Sequence, residues 1–308
     1  MRVAITGATG YVGRAVVHKL LRRDHDLRAL VRRPERAGFL RDQGVETVQG
    51  DLADRAALET LVDGIEAVVH LVGIIEESGS QTFEAVHVTG TEALVAAARR
   101  AGVPLLVHMS ALGARADERA TKYHRTKWRA EESVRAAGLP HAIFRPSLIA
   151  GPGNAPLKTM VDMIRLSPVV PVIGNGCYEL QPIWLDDVAE AFARVLERAD
   201  LRGTFDLAGP DKLTYHAMLD QLETALGVHR RRMAVPVGMA RFAAAAGTTL
   251  PSFAPITPEQ LQMLLEGSTT TDNAAATRIA IALRPFADVA RELCAPYAVR
   301  PAAAGADP

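Results

Sequence analysis

The first thirteen residues of the chain constrain its fold more than any other segment. A short β-branched run at 2–6 passes directly into the glycine-rich segment 7–13, and an apolar helical pattern follows at once. In such a strand–turn–helix unit, Gly7 permits a sharp turn, Gly10 leaves the backbone open to a close approach, and Gly13 lets the helix pack against the strand. The start of the helix presents unpaired N–H groups and a positive dipole end to an anion. The segment therefore predicts a site for the pyrophosphate of a dinucleotide.

The spacing of these glycines differs from the most widely used dinucleotide fingerprint. Here it is Gly-x-x-Gly-x-x-Gly, whereas that fingerprint is Gly-x-Gly-x-x-Gly. A glycine-rich turn in an unrelated α/β protein is therefore the alternative interpretation. The position of the turn, after a strand and before a helix, favours the dinucleotide.

Overall composition narrows the classes of partner. The 308 residues suit one large domain or two coupled lobes. The 35 lysines and arginines balance 35 aspartates and glutamates, and this neutrality argues against nucleic acid as a main partner. Cys177 and Cys294 match neither a disulfide nor a metal spacing, so no metal site is predicted and a reducing, cytoplasmic location is expected.

The hydropathy pattern predicts neither a signal peptide nor a membrane span. The chain enters a strand almost at once, and no apolar run reaches the roughly 18 residues that a spanning helix needs. The run from Met239 to Leu250 comes nearest, and Arg241 interrupts it. We interpret it as a packed helix, with a helix lying on a membrane or against a lipid-like substrate as the alternative.

Strand and helix patterns alternate along the first half of the chain. After the first strand–turn–helix unit, strands are predicted at 27–31, 45–49, 67–72, 105–109 and 141–145, and helices at 53–63, 83–101 and 118–137. Asp51 or Asp54 can cap the first of these helices. The alternation predicts the α/β class, with a Rossmann-type, doubly wound parallel sheet.

A cluster of glycines and prolines at 151–156 marks a predicted boundary between two lobes. We assign 1–150 to a dinucleotide-binding lobe, to which 183–208 returns with a helix at 186–199 and a strand at 204–207. A smaller, mostly helical substrate lobe takes 151–182, with a helix at 160–167, and 209–299, with turns at 251–258 and 267–272. The alanine- and proline-rich end, 300–308, is expected to be a frayed tail.

A basic pair follows the second predicted strand. At this distance from the glycine turn an acidic residue hydrogen-bonds the adenosine ribose and favours NAD, whereas an arginine can pair with a 2′-phosphate and favours NADP. Arg32 is preferred over Arg33 because it directly follows the strand; a solvated basic turn is the alternative. Asp51 follows the third strand at the same edge, where adenine would lie, or it only caps the next helix.

Tyr123 and Lys127 are four residues apart on a predicted helix and so share one face. An ammonium near a phenol favours the phenolate and lowers the pKa of the phenol, which prepares it to exchange a proton with a carbonyl or an alcohol. Ser110, at the end of the fifth strand, is positioned to hold a substrate oxygen beside the phenol. The alternatives are an exposed surface pair and a serine that caps the next turn.

Segments spread through the first two thirds of the chain carry a family resemblance. They are TGATGYVG (6–13), VRRP (31–34), GDL (50–52), HLVGII (70–75), VHVTGT (86–91), HMSALGA (108–114), YHRTK (123–127), IFRPSLIAGPG (143–153), LSPVVPVIGNG (166–176) and QPIWLDDVAEAF (181–192). In this order they resemble the extended short-chain dehydrogenases/reductases of the NAD(P)-dependent epimerase/dehydratase type. More narrowly, the chain resembles the atypical branch that contains the nucleotide-binding accessory subunit of respiratory complex I and its bacterial relatives.

The resemblance implies where a dinucleotide would be held. It implies contacts at Gly7, Thr9, Gly10, Tyr11, Val12 and Gly13, at Arg32 on the 2′-phosphate, at Asp51 and Leu52 on adenine, at Leu71, Val72 and Gly73 beside the ribose, at Tyr123 and Lys127 on the nicotinamide ribose, and at Pro146, Ser147 and Leu148 near the carboxamide. One position departs from the family pattern. His87 stands where the family usually has an asparagine that supports a water-linked proton relay to the lysine. The histidine is either a substitute relay, since imidazole titrates near neutrality, or a packed helix residue without a catalytic part.

Together these features predict an oxidoreductase in which Tyr123 is the acid/base, Lys127 lowers its pKa and Ser110 orients the substrate. NADP(H) is preferred over NAD(H), and the apolar second lobe suggests a quinone-like or otherwise hydrophobic carbonyl substrate. The alternative is a low-turnover, NADPH-binding accessory or assembly protein of a respiratory or quinone-linked complex, peripheral to the inner face of the membrane. A sugar-nucleotide epimerase or dehydratase is a second alternative. The oligomeric state is left open.

Overall fold

A parallel seven-stranded sheet forms the centre of the computed structural model, which describes residues 1–247 and 256–297. Its strands are β1 (Arg2–Thr6), β2 (Asp26–Val31), β3 (Glu46–Gln49), β4 (Ala67–His70), β5 (Leu106–Met109), β6 (His141–Pro146) and β11 (Gly203–Leu207). They lie in the order β11-β6-β5-β4-β1-β2-β3. Because the order reverses beside β1, the sheet has the switch point at which doubly wound folds bind ligands. The predicted Rossmann-type fold is confirmed.

Helices and short strands complete the described part of the chain. The helices are α1 (Tyr11–Leu21), α2 (Gly38–Asp42), α3 (Arg55–Val62), α4 (Gly90–Arg100), α5 (Lys122–Ala136), α6 (Ala155–Leu166), α7 (Leu185–Glu197), α8 (Tyr215–Leu226), α9 (Val237–Gly247), α10 (Pro258–Glu266), α11 (Ala274–Thr277) and α12 (Phe286–Cys294). A π-helical turn at Glu84–Thr89 leads into α4, and 3₁₀ turns lie at Pro34–Arg36 and Ala295–Tyr297. The short strands are β7 (Ile149–Ala150), β8 (Val169–Ile173), β9 (Glu179–Leu180), β10 (Ile183–Trp184), β12 (Leu213–Thr214) and β13 (Arg231–Val235).

Helices cover both faces of the sheet, as the apolar strands require. Side chains alternate along β1, so Val3 and Ile5 enter one buried cluster and Ala4 enters the other. The first cluster lies under α1 and α7, and the second under α3, α4 and α5. Lys19 pairs with Asp186 at 2.7 Å, one of the ion pairs that join α1 to α7. The β11 strand pairs with β6, so the sheet takes its last strand from beyond residue 200.

Local capping explains where several predicted helices begin. The helix expected from 118 starts at Lys122, because the hydroxyl of Thr121 accepts the N–H of His124 and caps it. The helix expected from 160 starts at Ala155, because Asn154 accepts the N–H of Leu157. Asp54 caps α3 in the same way.

A third buried cluster lies in the second half of the chain. It joins α6, α8 and α12 and includes Leu157, Met218 and Phe286. None of the helices in the described ranges is long and apolar enough to cross a membrane. The division into lobes at residue 151 stays a prediction. The predicted turn at 251–258 lies largely outside the described residues, as do the end of the 239–250 run and the 300–308 tail.

Candidate functional site

The glycine turn between β1 and α1 is as tight as the sequence requires. Gly7 has φ +80°. The turn is closed by a hydrogen bond from the Gly10 N–H to the Gly7 carbonyl at 2.9 Å. A Cβ on Gly13 would lie 2.0 Å from that same carbonyl oxygen. Gly10 is the N-cap of α1 and supplies no side-chain acceptor to the first turn. The N–H groups in the first turn of α1 are therefore available to an anion.

The carboxyl ends of the central strands meet at one edge of the sheet. Thr6 pairs with both Leu30 and His70, and His70 pairs with His108. Arg32 comes two residues after Leu30 and is exposed. The segments that follow these strands are therefore neighbours, which brings most of the predicted site residues to one edge.

Asp51 and Leu52 follow β3 at this edge. Asp51 is exposed, and its carboxylate accepts the N–H of Ala53 at 2.8 Å, so it closes a local turn. Leu52 is half-buried against α4, where a Cβ on Gly90 would lie 2.7 Å from its side chain. The alternative of Asp51 as the helix cap is wrong, because Asp54 takes that role.

The segment after β4 lies between the glycine turn and α5. A Cβ on Gly7 would lie 3.0 Å from the backbone of Leu71 and Val72. On the other side, a Cβ on Gly73 would lie 3.0 Å from Nζ of Lys127. Glycine at both positions lets the backbone approach closely, so this segment joins the glycine turn to the predicted acid/base pair.

Lys127 is buried at the centre of the site, with 2% exposure. Its ammonium donates to the Met109 carbonyl at 2.9 Å, at the end of β5. Burial lowers its pKa to about 8, since the charged form is poorly solvated, and the nearby Glu131 carboxylate partly offsets this. The lysine therefore changes charge near pH 8.

The phenol of Tyr123 does not have the low pKa that the sequence suggested. Burial raises its pKa to about 12. The ring is fixed by edge contacts with Phe83, His87 and His124 at centroid distances of 5.8, 5.5 and 5.3 Å. At neutral pH the side chain is thus a neutral phenol, held in place by aromatic neighbours and able to donate a proton.

The hydroxyl of Ser110 is buried without a hydrogen-bond partner among the described residues. The backbone of the same residue is fixed, since its N–H donates to the Phe144 carbonyl at 2.7 Å. A buried hydroxyl that lacks a partner is costly unless a ligand or water supplies one. This geometry fits a hydroxyl that binds a substrate oxygen better than a serine that caps the next turn.

His87 lies inside the site with both ring nitrogens engaged. Its Nε2 accepts the N–H of Ile74 at 3.1 Å, so the proton is assigned to Nδ1, which donates to the Thr126 hydroxyl at 2.9 Å. The Thr126 hydroxyl donates onward to the Tyr123 carbonyl at 3.0 Å. Burial and the Lys127 charge lower the pKa of His87 to about 2. The imidazole is therefore neutral and joins the segment after β4 to α5.

The remaining predicted contacts have different surroundings. Thr9 is half-buried, and Val12 and Pro146 are buried. Tyr11 packs on the loop after β7, where a Cβ on Gly153 would lie 3.7 Å from its ring, and burial raises the pKa of its unpartnered hydroxyl. Ser147 is buried and its hydroxyl already donates to the Gln181 carbonyl, whereas Leu148 joins the third hydrophobic cluster. The backbone N–H of Ser147 also donates, to the Leu207 carbonyl at 2.9 Å, so both donors of this residue are already engaged within the protein.

A row of buried polar residues under the site was not singled out from the sequence. His70 bonds Thr6 at 2.6 Å and Thr91 at 3.0 Å, and it stacks on His108 with centroids 5.1 Å apart. The Thr91 hydroxyl donates to the His87 carbonyl at 2.6 Å. The sequence signal for it is a histidine at the last position of β4 and another at the last position but one of β5, together with a threonine four residues after His87.

The residues at this edge fit a pyridine dinucleotide. At the glycine turn, the absence of Cβ atoms leaves space for the backbone to approach a ligand. The first turn of α1 offers its N–H groups, and the Ser110 hydroxyl is without a partner among the described residues. Arg32 is exposed beyond β2. These are the groups that recognise a pyrophosphate, a reactive oxygen and a further phosphate.

Comparison with known proteins defines the class. A model of the NAD dependent epimerase/dehydratase family matches residues 3–208, and the chain belongs to this family of NAD(P)-dependent reductases and epimerases. One relative is the ceramide reductase of Caulobacter vibrioides, 39% identical over 208 residues, which are 65% of this chain and 65% of that protein. The chain thus matches slightly less than two thirds of the length of this relative.

The relatives also include a subunit of respiratory complex I, in accord with the narrower resemblance. Mitochondrial NADH dehydrogenase [ubiquinone] 1 alpha subcomplex subunit 9 of Arabidopsis thaliana is 27% identical over 250 residues, 78% of this chain and 62% of that protein. Among solved structures, the NADPH-dependent quinone oxidoreductase of Escherichia coli in complex with NADPH superposes with a TM-score of 0.74 at 22% identity, over 95% of this chain and 99% of that chain. The structural likeness shows the shared fold.

Proposed function

We propose that the protein is an NADP(H)-preferring oxidoreductase that reduces a hydrophobic carbonyl, with Tyr123 as the acid/base. The observation that carries the proposal is the gathering of these groups around the segment after β4. Lys127 and His87 both approach Gly73, Tyr123 packs on His87, and Lys127 bonds the Met109 carbonyl next to the unpartnered Ser110 hydroxyl. When bound, the dihydronicotinamide supplies the hydride. Membership of a family that contains reductases supports this chemistry.

In this mechanism each side chain of the site has one task. The Ser110 hydroxyl donates a hydrogen bond to the substrate oxygen and fixes it beside the phenol of Tyr123. Tyr123 gives its proton to that oxygen as negative charge develops there. The Lys127 ammonium stabilises the phenolate that remains, which is needed because burial holds the pKa of the free phenol at about 12. His87 stays neutral and holds the site segments together.

Replacement of the phenol tests the mechanism. Tyr123→Phe keeps the ring contacts and removes the proton, so kcat should fall on the order of 100-fold or more. NADPH binding, followed by its fluorescence, should change little. Tyr297→Phe, at a tyrosine whose ring contacts the Arg165 guanidinium outside the site, is the control. Unchanged turnover of the same carbonyl substrate in Tyr123→Phe would sink the assignment.

The preference for NADP(H) is assigned to Arg32. An exposed guanidinium after β2 can pair with a 2′-phosphate, which NADH lacks. Arg32→Ala should weaken NADPH binding by roughly 1–3 kcal/mol, or about 5- to 150-fold, without changing NADH binding. Arg99→Ala, an exposed arginine on α4, is the control. Equal wild-type affinities for the two nucleotides would contradict the assignment.

A second candidate function is a low-turnover NADPH-binding protein of a respiratory or quinone-linked complex. The complex I relative favours it, as does a neutral His87 where the family has a relay asparagine. Such a protein would sit at the inner face of the membrane and co-purify with a membrane complex. Tight NADPH binding without turnover of any quinone or ketone, together with such a partner, would replace the enzymatic proposal.

A further inference from the structure

An apolar and basic surface lies in the C-terminal part of the described chain. We call the exposed side chains Arg231, Met233, Met239, Arg241 and Phe242 the β13–α9 surface. Met233 is 56% exposed, Met239 is 62% exposed and Phe242 is 77% exposed. Single exposed apolar residues are common on proteins, but three large ones within ten residues of chain are not.

In α9 the small residues are buried and the large apolar residues are exposed, which is the reverse of an ordinary surface helix. Its buried side holds the small residues Ala240 and Ala244, which pack on Leu261 of α10. Its large residues Met239 and Phe242, three apart and so on one face, point away from that contact. Packing among the described residues gives no reason for this arrangement, whereas an external apolar partner does.

The charge around this surface is one-sided. Between Glu223 and Glu259 the sequence has four arginines and no aspartate or glutamate, in a chain whose formal net charge is +0. Arg232 pairs with Asp220, but within 1–247 and 256–297 neither Arg231 nor Arg241 has an ion pair. The surface therefore combines free positive charge with exposed apolar side chains.

We infer that the β13–α9 surface docks on a bilayer that contains anionic lipids. Met239 and Phe242 enter the boundary between headgroups and acyl chains, while Arg231 and Arg241 contact lipid phosphates. Apolar insertion alone, or basic residues alone, bind a protein only weakly to a membrane, whereas the two together give stable binding. A second copy of the chain is disfavoured, because a two-fold contact would set this positive surface against itself.

Packing links the surface to the segment that follows Ser110, since α9 packs on α10 and α10 contacts Arg115. A depression of ≈ 500 Å³ lies beside the start of α9, between Val237, Tyr178 and Leu265. From α10, Glu266 pairs at 3.0 Å with Arg115, a few residues after Ser110. We therefore assign a carbonyl compound that is dissolved in the membrane as the substrate class. This assignment rests on the proposed function, whereas the docking on the bilayer does not.

Vesicle sedimentation of the full-length protein tests the docking without any turnover. We expect binding to phosphatidylcholine vesicles that contain phosphatidylglycerol, weakened by salt, and little binding to phosphatidylcholine alone. Phe242→Glu and Arg241→Glu should each lower the partition coefficient about tenfold. Ile75→Glu, at a side chain that is 53% exposed, and Arg99→Glu are the matched controls and should bind as the wild type does.

Three results would overturn the inference. They are the absence of binding to anionic vesicles, equal losses in the variants and the controls, and a self-associated wild type that Phe242→Glu converts to a monomer in sedimentation velocity. Thermal melts of every variant separate unfolding from lost binding. Reduction of a water-soluble ketone without vesicles, which Phe242→Glu should retain, tests the proposed function separately.

Discussion

At the scale of the residue, the buried ammonium of Lys127 determines how the site responds to pH. The Met109 carbonyl and the Glu131 carboxylate do not fully replace its hydration, so its pKa lies at about 8. Above that pH the lysine is neutral and no longer stabilises the phenolate of Tyr123. The tyrosine, with a pKa of about 12, does not itself titrate in this range.

We therefore predict an alkaline decline in kcat/KM near pH 8 for the free enzyme. The sign follows from the lowered pKa, because the active, charged form of Lys127 is lost as pH rises. Lys127→Arg, which stays charged, should remove this decline even if its rate is lower. The measurement is a pH profile from 6 to about 10. If Lys127→Arg shows the same alkaline decline, the decline belongs to another titrating group.

A second prediction concerns His87 as a positioning residue. Asparagine is too short to bond both Ile74 and Thr126, so His87→Asn leaves one buried group without a partner, at a cost of about 1–3 kcal/mol. We expect weaker NADPH binding and a higher KM, with the shape of the pH profile unchanged. Thr89→Asn, exposed on the same turn, is the control. A rise in kcat in His87→Asn would show that asparagine restores a relay.

The residue types of the site were predictable from the sequence, but their environments were not. Tyr123, Lys127 and Ser110 were identified by spacing and by their position after a strand. The high pKa of the Tyr123 phenol and the low pKa of His87 follow mainly from burial, which is produced by neighbours from other segments of the chain. Phe83 packs on Tyr123, and Thr126 bonds His87. Spacing specifies which side chains share a face and carries no information on how much water reaches them.

At the scale of the element, the turn between β1 and α1 tolerates little change. A Cβ on Gly13 would lie 2.0 Å from a backbone oxygen, which no rotamer change relieves. The bounds of the elements were harder to predict than their order, because caps such as Thr121 and Asn154 override the apolar period. The π-helical turn at Glu84–Thr89 had no recognised sequence signal.

We predict that Gly13→Ala abolishes NADPH binding and lowers the melting temperature. The added methyl group must separate α1 from the glycine turn, which displaces the amides that we propose as the pyrophosphate site. Gly38→Ala is the matched control, since nothing lies within 4 Å of its Cβ position at the start of α2. Fluorescence titration with NADPH and calorimetry measure both effects. Normal binding in Gly13→Ala would contradict the proposed role of the turn.

At the scale of the whole molecule, buried histidines link stability to acid. Burial lowers the pKa of His70 to about 3, of His87 to about 2 and of His108 well below its usual value. The unfolded chain binds these protons near the ordinary histidine pKa, whereas the folded chain does not. Stability is therefore present above that pH and falls as pH decreases, by up to roughly 4 kcal/mol per unit for three protons.

His108 allows a test of this link. Neither of its ring nitrogens has a partner in the described parts of the chain, and it stacks on His70. His108→Phe keeps the stacking and removes one proton site, so unfolding between pH 7 and 5 should depend less steeply on pH, by an amount that approaches about 1.4 kcal/mol per unit at the acid end. His18→Gln, exposed on α1, is the control. An unchanged slope in urea unfolding would exclude His108 as a contributor.

The late position of α7 and β11 in the chain has a consequence for synthesis. α1 and the sheet face beneath it are covered by Val188, Phe192 and their neighbours, which leave the ribosome long after β1. Until then a growing chain carries its largest apolar face uncovered and the β6 edge open. A gene fragment that ends at residue 150 would therefore aggregate on expression, and the nascent protein would be a substrate for chaperones until its seventh strand emerges.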